Sequence, residues 1–304
     1  MMKCASIGGS EEHPVVVLGT RPRPTPGPGE LLIRVLAAGL TSSELYWEPN
    51  WRSKSGEKRA NAVPGHEFSG VIVDSGREIF GMNDWYSDGA MAEYCVAPIS
   101  AVAPKPPSLS DAEAASVPIS ALTAWQGLFD HGKLRAGEKV LVHGGAGGVG
   151  IFVVQLARLS GARVFATASD KNGDFVRSLG AERVIDHRAS RFEDVVKQVD
   201  LVFDTVGGET LERSWSVLAP GGRVVTVSTA TVSKDDRKKA AFFIVEPNQM
   251  QLTEVARLLD NGQIRTELDV VVALSQAPDA YAGKVARRGR GKLVVTISQE
   301  GESR

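Results

Sequence analysis

The strongest constraint in this chain is the run Lys139-Val-Leu-Val-His143, followed by Gly144-Gly-Ala-Gly-Gly-Val-Gly150 and then by the apolar stretch Ile151 to Leu159. A buried strand, a glycine turn and a helix is the order that a dinucleotide pyrophosphate requires. Its oxygens must approach backbone N–H groups at a helix N-terminus, where the dipole is positive and no side chain intervenes. Gly145, Gly147 and Gly150 keep the G-x-G-x-x-G spacing, with Gly148 and Val149 between the last two. Such turns occur in many folds, so the flanking pattern carries the weight.

That pattern agrees. Arg163 to Thr167 is a second apolar run, placed after a helix that Gly161 would close. Further apolar runs at Val184 to Asp186, Leu201 to Asp204, Arg223 to Ser228 and Phe242 to Val245 alternate with helical stretches at Phe175 to Leu179, Phe192 to Lys197 and Glu209 to Leu218. Strands alternating with helices predict an α/β fold built on a Rossmann-type, doubly wound parallel sheet. In such sheets ligands bind at the carboxyl ends of the strands, which points to Thr205, Ser228, Thr229 and the segment Phe243 to Val245 as cofactor-facing positions. Ser228 and Thr229 serve equally well as turn caps.

The chain before this unit differs in character, with turn-rich segments and short strands at Leu31 to Ala37 and Gly70 to Val73, which predicts a separate, mostly β domain. Four prolines between Pro22 and Pro28 disfavour helix and predict an extended surface loop. Ser110-Asp-Ala-Glu113 has the form of a capping box that starts a helix leading into the second domain. Leu252, Val255, Leu258 and Leu259 have helical spacing, and Gly291-Lys-Leu-Val-Val-Thr-Ile297 reads as a final strand that returns to the first domain. The expected organisation is 1–113, 114–247 and 248–304.

A length of 304 residues suits about two domains. The 35 basic and 36 acidic side chains leave no large positive field for nucleic acid, and the basic cluster from Lys284 to Lys292 is expected to be a solvated face. The N-terminal residues lack the apolar core of a signal peptide and no long apolar span follows, so a cytoplasmic protein without membrane partners is expected. Two cysteines, Cys4 and Cys95, cannot build a disulfide framework or a cysteine zinc site.

Ala38-Gly-Leu-Thr-Ser-Ser-Glu44 with Tyr46, Pro64-Gly-His-Glu-Phe-Ser-Gly70, Gly89-Ala-Met-Ala-Glu-Tyr94, Leu122-Thr-Ala-Trp125 and the glycine turn occur in that order. Together they resemble the medium-chain dehydrogenase/reductase superfamily, and within it the zinc-independent quinone oxidoreductase and enoyl reductase branch. The resemblance covers most of the chain. It implies a discontinuous GroES-like, mostly β catalytic domain made from both chain ends, with the Rossmann domain inserted between them. It also implies a homodimer joined at the edge of the Rossmann sheet, around Phe242 to Val245. One departure is that Val73 to Gly81 is shorter than the family usually has.

Zinc-dependent relatives are expected to carry cysteine, histidine and cysteine where this chain has Thr41, His66 and the neighbourhood of Ser120. A catalytic zinc needs three protein ligands, and a neutral hydroxyl is a poor one, so no zinc and no other metal is expected. Cofactor choice depends on the end of the second strand, where an acidic side chain would hold the ribose hydroxyls of NAD. Ala168 stands there, followed by Ser169, Asp170 and Lys171. A small residue, a hydroxyl and a cation favour NADPH, while Asp170 keeps NADH as the lesser alternative. By resemblance Thr123 lies against the nicotinamide, Gly148 and Val149 against the pyrophosphate, and His187 near the adenosine.

Hydride transfer to a quinone or an α,β-unsaturated carbonyl needs no Lewis acid, but the oxygen that gains charge needs a hydrogen-bond donor. Tyr46 is the leading donor, since a phenol keeps its proton near neutrality. Family members pair that tyrosine with an asparagine, and here the neighbour is Thr41. A packing role for Tyr46 is the alternative, and Trp47, Trp51 and Trp85 are candidates for an apolar substrate mouth. The expectation is an NADPH-dependent quinone or enone reductase. A zinc-type alcohol or carbonyl dehydrogenase and an NADPH-binding sensor without turnover are the alternatives.

Overall fold

The computed structural model describes residues 1–228 and 235–297. The chain opens with an antiparallel pair, β1 (Met2–Gly9) and β2 (Pro14–Arg21). The proline-rich segment after it is extended and largely exposed, as its fixed φ angles demand. There follow β3 (Glu30–Leu40), β4 (Glu67–Ile72), β5 (Glu78–Met82), β6 (Tyr94–Pro98) and β7 (Val102–Pro104). The short segment after β4 is a plain hairpin, in which Val71 faces Glu78. Helix α1 (Asp111–Ala115) starts at the expected capping box, with the Glu113 N–H donating to Ser110 Oγ and the Ser110 N–H to the Glu113 carboxylate. Helix α2 (Pro118–Trp125) begins directly after it.

The central unit runs β8 (Lys139–His143), α3 (Gly148–Leu159), β9 (Arg163–Ala168), α4 (Gly173–Ser178), β10 (Arg183–Asp186), α5 (Phe192–Val195), β11 (Val199–Asp204), α6 (Gly208–Ser214) and β12 (Leu218–Thr226). The five strands are all parallel and lie in the order β10-β9-β8-β11-β12. Successive side chains of a strand point to opposite faces, and here both faces are covered, which explains why the strands read as continuous apolar runs. Val140, Val142, Leu201 and Phe203 enter one buried core with α2 and α3, while Leu141 and Val202 enter a second with Phe192 and Leu211.

Helices α7 (Asp236–Ala241) and α8 (Gln249–Asp260) come next, then β13 (Leu268–Ala273), α9 (Ala277–Tyr281) and β14 (Lys292–Thr296). Strand β14 pairs antiparallel with β3, so the chain end completes a seven-stranded sheet with the N-terminal strands. Helix α8 buries Leu252, Val255, Leu258 and Leu259 in the core that contains Val140 and Val142. The chain therefore re-enters the first sheet only at β13.

The strand expected at Phe242 to Val245 is not formed. Phe242 makes a single bridge to Thr226, and the residues after it leave the sheet edge. The physical reason is a side chain that takes the place of a strand neighbour. The Gln126 amide donates to the Glu246 carbonyl and accepts from the Glu246 N–H. Phe243 and Val245 are thereby drawn into the core, where Phe243 stacks on His131 at 4.4 Å between ring centres. The segment around which the homodimer was expected is therefore not an edge strand.

Gly150 holds the glycine turn against its helix: a Cβ at this position would sit 2.1 Å from the Gly144 carbonyl oxygen. Since the obstacle is backbone, it cannot turn aside. Gly150→Ala should destabilise the protein by about 1–3 kcal/mol through overpacking, measured by urea denaturation, and an unchanged midpoint would show that the turn opens freely.

Candidate active site

The glycine turn that follows the carboxyl end of β8 faces the start of β14, which in turn meets the turn after β3. Two backbone contacts join the sheets at this point. The Gly291 N–H donates to the Ala146 carbonyl at 2.8 Å, and Gly147 and Gly291 form a parallel bridge. Gly147 is the N-cap of α3 and no side chain caps that helix. A Cβ on Gly147 would meet only the Gly144 carbonyl oxygen, at 3.4 Å, and one on Gly148 would meet Ser120 Oγ at 3.2 Å and the Lys292 stem at 3.3 Å. A twelve-residue helix thus presents an uncovered positive end. Behind it, the Gly145 N–H donates to the Thr167 carbonyl, which ties the turn to β9.

Beside this end, Lys292 leads β14 at 9% exposure. Its ammonium donates to Thr41 Oγ1 at 2.8 Å and forms an ion pair with Glu67, the first residue of β4. Glu67 is fully buried, and its Oε2 accepts the Ile119 N–H at the start of α2, where the helix dipole favours an anion. Its Oε1 faces Lys292 as an ion pair rather than as a well-directed hydrogen bond. Gly39 is required opposite, since a Cβ there would lie 2.6 Å from Glu67 Cγ. Neither Lys292 nor Glu67 was singled out as functional by residue type, since Lys292 reads in the chain as the last member of the basic cluster from Lys284 to Lys292.

The donors proposed from sequence separate here. Thr41 is half-buried at the cluster, whereas Tyr46, five residues on in the same turn, is 63% exposed. Tyr46 therefore neither packs nor joins the cluster. Trp47 and Trp85 meet edge to face at 5.3 Å, and His66 lies 5.3 Å from Trp85. The Trp85 indole donates to the Val245 carbonyl, so this aromatic wall bridges the two halves of the molecule. Trp51 is instead buried, donating to the Leu45 carbonyl. His66 is buried and burial pushes its pKa down to about 4, leaving the ring neutral, and its Nδ1 has no partner. Ser120 Oγ is likewise buried without a partner.

The remaining positions line the parallel sheet. Thr123 is buried on α2. Thr205 Oγ1 donates to the His143 carbonyl, and the Ser228 hydroxyl covers Gly207. Thr229 lies outside the described residues. Ala168 is buried at the end of β9, Ser169 Oγ accepts from the Asn172 amide, and the His187 N–H donates back to the Ala168 carbonyl. Lys171 Nζ donates to the Arg288 carbonyl at 3.0 Å, and the Asn172 amide donates to that of Gly289. The basic cluster is solvent-exposed at Lys284, Arg287 and Arg288, while Lys292 is buried and the cluster's backbone is tied to the end of β9. Asp269 anchors it by accepting from the Arg287 guanidinium and the Gly289 N–H, and the loop lies against the end of β9.

A second buried carboxylate steadies the turn that carries Thr41. Glu44 accepts from the Tyr281 hydroxyl at 2.6 Å and from the N–H groups of Gly65 and Thr41. Burial outweighs these bonds and pushes its carboxyl up to about 7. The folded protein therefore keeps a proton that the unfolded chain releases, and the stability this confers is present below about pH 4.5 and lost as pH rises through about 7. The loss is on the order of 3 kcal/mol. His66 and His143, both held near 4 by burial, act in the opposite sense below pH 6.5, so the comparison must be made against Glu44→Gln. Relative to wild type, that variant should gain on the order of 3 kcal/mol between pH 4.5 and 8, measured by urea unfolding, and a constant gap would contradict the assignment.

Comparison with known proteins agrees with this architecture. Residues 27–84 match the family described as alcohol dehydrogenase GroES-like domain, and residues 179–295 match zinc-binding dehydrogenase. A probable zinc-binding oxidoreductase, mitochondrial, from Arthroderma benhamiae is 32% identical over 95% of this chain and 96% of its own length. A 2-methylene-furan-3-one reductase from Solanum lycopersicum is 32% identical over 88% of this chain and 71% of its own. The solved structure of the quinone oxidoreductase from Coxiella burnetii superimposes with a TM-score of 0.84 at 28% identity, covering 98% of this chain and 99% of that one. An uncapped glycine turn at the open edge of a parallel sheet, set against a mostly β sheet closed by the chain end, joins these similarities in one conclusion: the chain is an oxidoreductase of the medium-chain dehydrogenase/reductase superfamily, a family that works with a nicotinamide cofactor.

Proposed function

We propose that the protein is an NADPH-dependent reductase of quinones or α,β-unsaturated carbonyls that works without zinc. The observation that carries the reading is the uncovered N-terminus of α3 beside the Thr41 hydroxyl and the Lys292 ammonium. Gly145, Gly147, Gly148, Val149 and Gly150 would hold the pyrophosphate, with Thr123, Thr205, Ser228, Phe243 and Val245 toward the nicotinamide half. When bound, the cofactor supplies a hydride, that is two electrons and one hydrogen nucleus, to the electron-poor carbon. Solvent supplies the proton that completes the reduced product. The chain's own contribution is to exclude water with the Trp47–Trp85 wall and to donate a hydrogen bond to the oxygen where charge collects. Thr41 is the nearer donor to that cleft, and Tyr46 would reach it only from the solvent side.

Two features support the finer choices. Lys171 and Ser169 stand at the end of β9 against a loop that carries Arg287, Arg288 and Arg290, which suits a 2′-phosphate better than a bare ribose. Among the described residues no three of His, Cys, Asp or Glu are placed to hold a metal ion, and the positions where zinc ligands would be expected are Thr41 and Ser120 beside a neutral His66. The same reading keeps the domain crossings at 113/114, within α1, and at 247/248, just before α8. It also retains a homodimer and a cytoplasmic setting, and no helix among the described residues is long and apolar enough to cross a membrane.

Three outcomes are expected. Lys171→Ala should raise the KM for NADPH by about 10-fold, the worth of one exposed phosphate contact, and leave that for NADH unchanged; equal effects on both would shift the choice to NADH. Gly147→Ala should fold with an unchanged melting temperature, because its Cβ makes only an ordinary van der Waals contact with the Gly144 carbonyl oxygen, yet lose nucleotide binding measured by fluorescence. Metal-free protein, checked by elemental analysis, should oxidise NADPH with 1,4-benzoquinone or a 2-alkenal. Turnover only of saturated ketones, and only with zinc, would establish the alcohol dehydrogenase alternative.

A further inference from the structure

We propose that Lys292 is a positioning residue that makes the Thr41 hydroxyl the hydrogen-bond donor to the substrate oxygen. This inference rests on the reductase reading above and deepens it at one atom. An ammonium has only donors, so the 2.8 Å contact between Lys292 Nζ and Thr41 Oγ1 fixes the direction of that bond. The hydroxyl is forced to accept, and its single proton is left to point elsewhere. A free threonine hydroxyl rotates and donates wherever a neighbour accepts. Here an ammonium occupies one acceptor position of the oxygen, no acceptor for the proton is in hydrogen-bond contact among the described residues, and the positive charge strengthens the O–H as a donor.

The rest of the cluster keeps the ammonium where it is. Glu67 is fully buried, holds Lys292 as a counter-ion and is itself anchored by the Ile119 N–H at the start of α2. Lys292 is 9% exposed and its stem lies 3.3 Å from the place a Cβ on Gly148 would occupy. The hydroxyl thus stands beside the uncovered end of α3, on the side of the cleft where charge must be accommodated. Thr41 has a shorter reach than an amide side chain. The backing charge compensates by making a weak neutral donor a charge-assisted one. No covalent change occurs at Lys292 or Thr41; both stay protonated through the reaction, and the transferred hydride and the solvent proton account for the product.

Removing Lys292 alone would leave Glu67 buried without its counter-ion, so the test removes both charges together in Glu67→Gln/Lys292→Met. Turnover of NADPH with a 2-alkenal is measured for wild type, that pair, Thr41→Val and the combination. Thr41→Val should lower kcat by about 100-fold, as loss of an oxyanion donor does, and the pair by about 10-fold, with the KM for NADPH within 2-fold. In the Thr41→Val background the pair should cost less than about 2-fold more, because the charge has nothing left to act through. A readout independent of turnover is the absorbance shift of 4-nitrophenolate, a stand-in for an enolate oxygen, on binding to nucleotide-free protein. Both Thr41→Val and the pair should weaken it by at least about 10-fold, on the scale of a lost charge-assisted bond.

Equal losses in both Thr41 backgrounds would overturn the proposal, as would an effect confined to the KM for NADPH, which would assign Lys292 to the pyrophosphate. Phenolate binding indifferent to Thr41 and Lys292 would overturn it as well. Wild-type protein that turns over neither quinone nor alkenal, yet binds phenolate in a manner dependent on both residues, would support the donor pair while discarding the reductase reading.

Discussion

The buried ion pair between Lys292 and Glu67 is the contact on which the cleft depends. It joins the first residue of the last strand to the first residue of β4, and through the Ile119 N–H it reaches the start of α2. Three elements far apart in the chain are therefore positioned by one charge pair at the seam between the two sheets. Removing one partner of such a pair leaves an uncompensated buried charge and costs about 3–5 kcal/mol. Gly39 is shaped to the same contact, since only a residue without a side chain lets Glu67 lie across β3.

The seam also explains how a discontinuous architecture yields a single site. The glycine turn is sequence-local, but its free face is defined by Gly291, whose N–H donates to Ala146, and by the stem of Lys292. In β13, Asp269 anchors the arginine loop, and that loop meets Lys171 and Asn172 at the far end of β9. The chain end thus borders both ends of the place where a dinucleotide would lie. Its backbone supplies contacts at both places, and Asp269 holds the loop against the end of β9 through the Gly289 N–H and the Arg287 guanidinium.

Much of the architecture was legible because it follows from local rules. The capping box at Ser110, the helical spacing of Leu252 to Leu259 and the continuous apolar runs of β8, β9 and β11 each have a short-range cause, and each appears in the fold. Phe242 to Val245 failed the same reading. Its apolar composition suits a strand, but Gln126, more than a hundred residues earlier, binds the Glu246 backbone and draws Phe243 and Val245 inward. The basic cluster near the C-terminus is solvated at Lys284, Arg287 and Arg288, as its charge density suggests, while the burial of Lys292 and the partners that fix the loop, Asp269 and the end of β9, are invisible along the chain.

The sequence by itself determined the strand–glycine turn–helix unit, the two-domain plan and the family, because backbone conformation at glycines and apolar periodicity act over a few residues. Only the tertiary structure decided which polar groups share the cleft. Tyr46 is the leading candidate in the chain and Thr41 its neighbour, five positions away; in the fold Thr41 meets an ammonium and Tyr46 meets water. That difference arises from the pairing of β14 with β3, a contact across more than two hundred and fifty residues whose register no local pattern encodes.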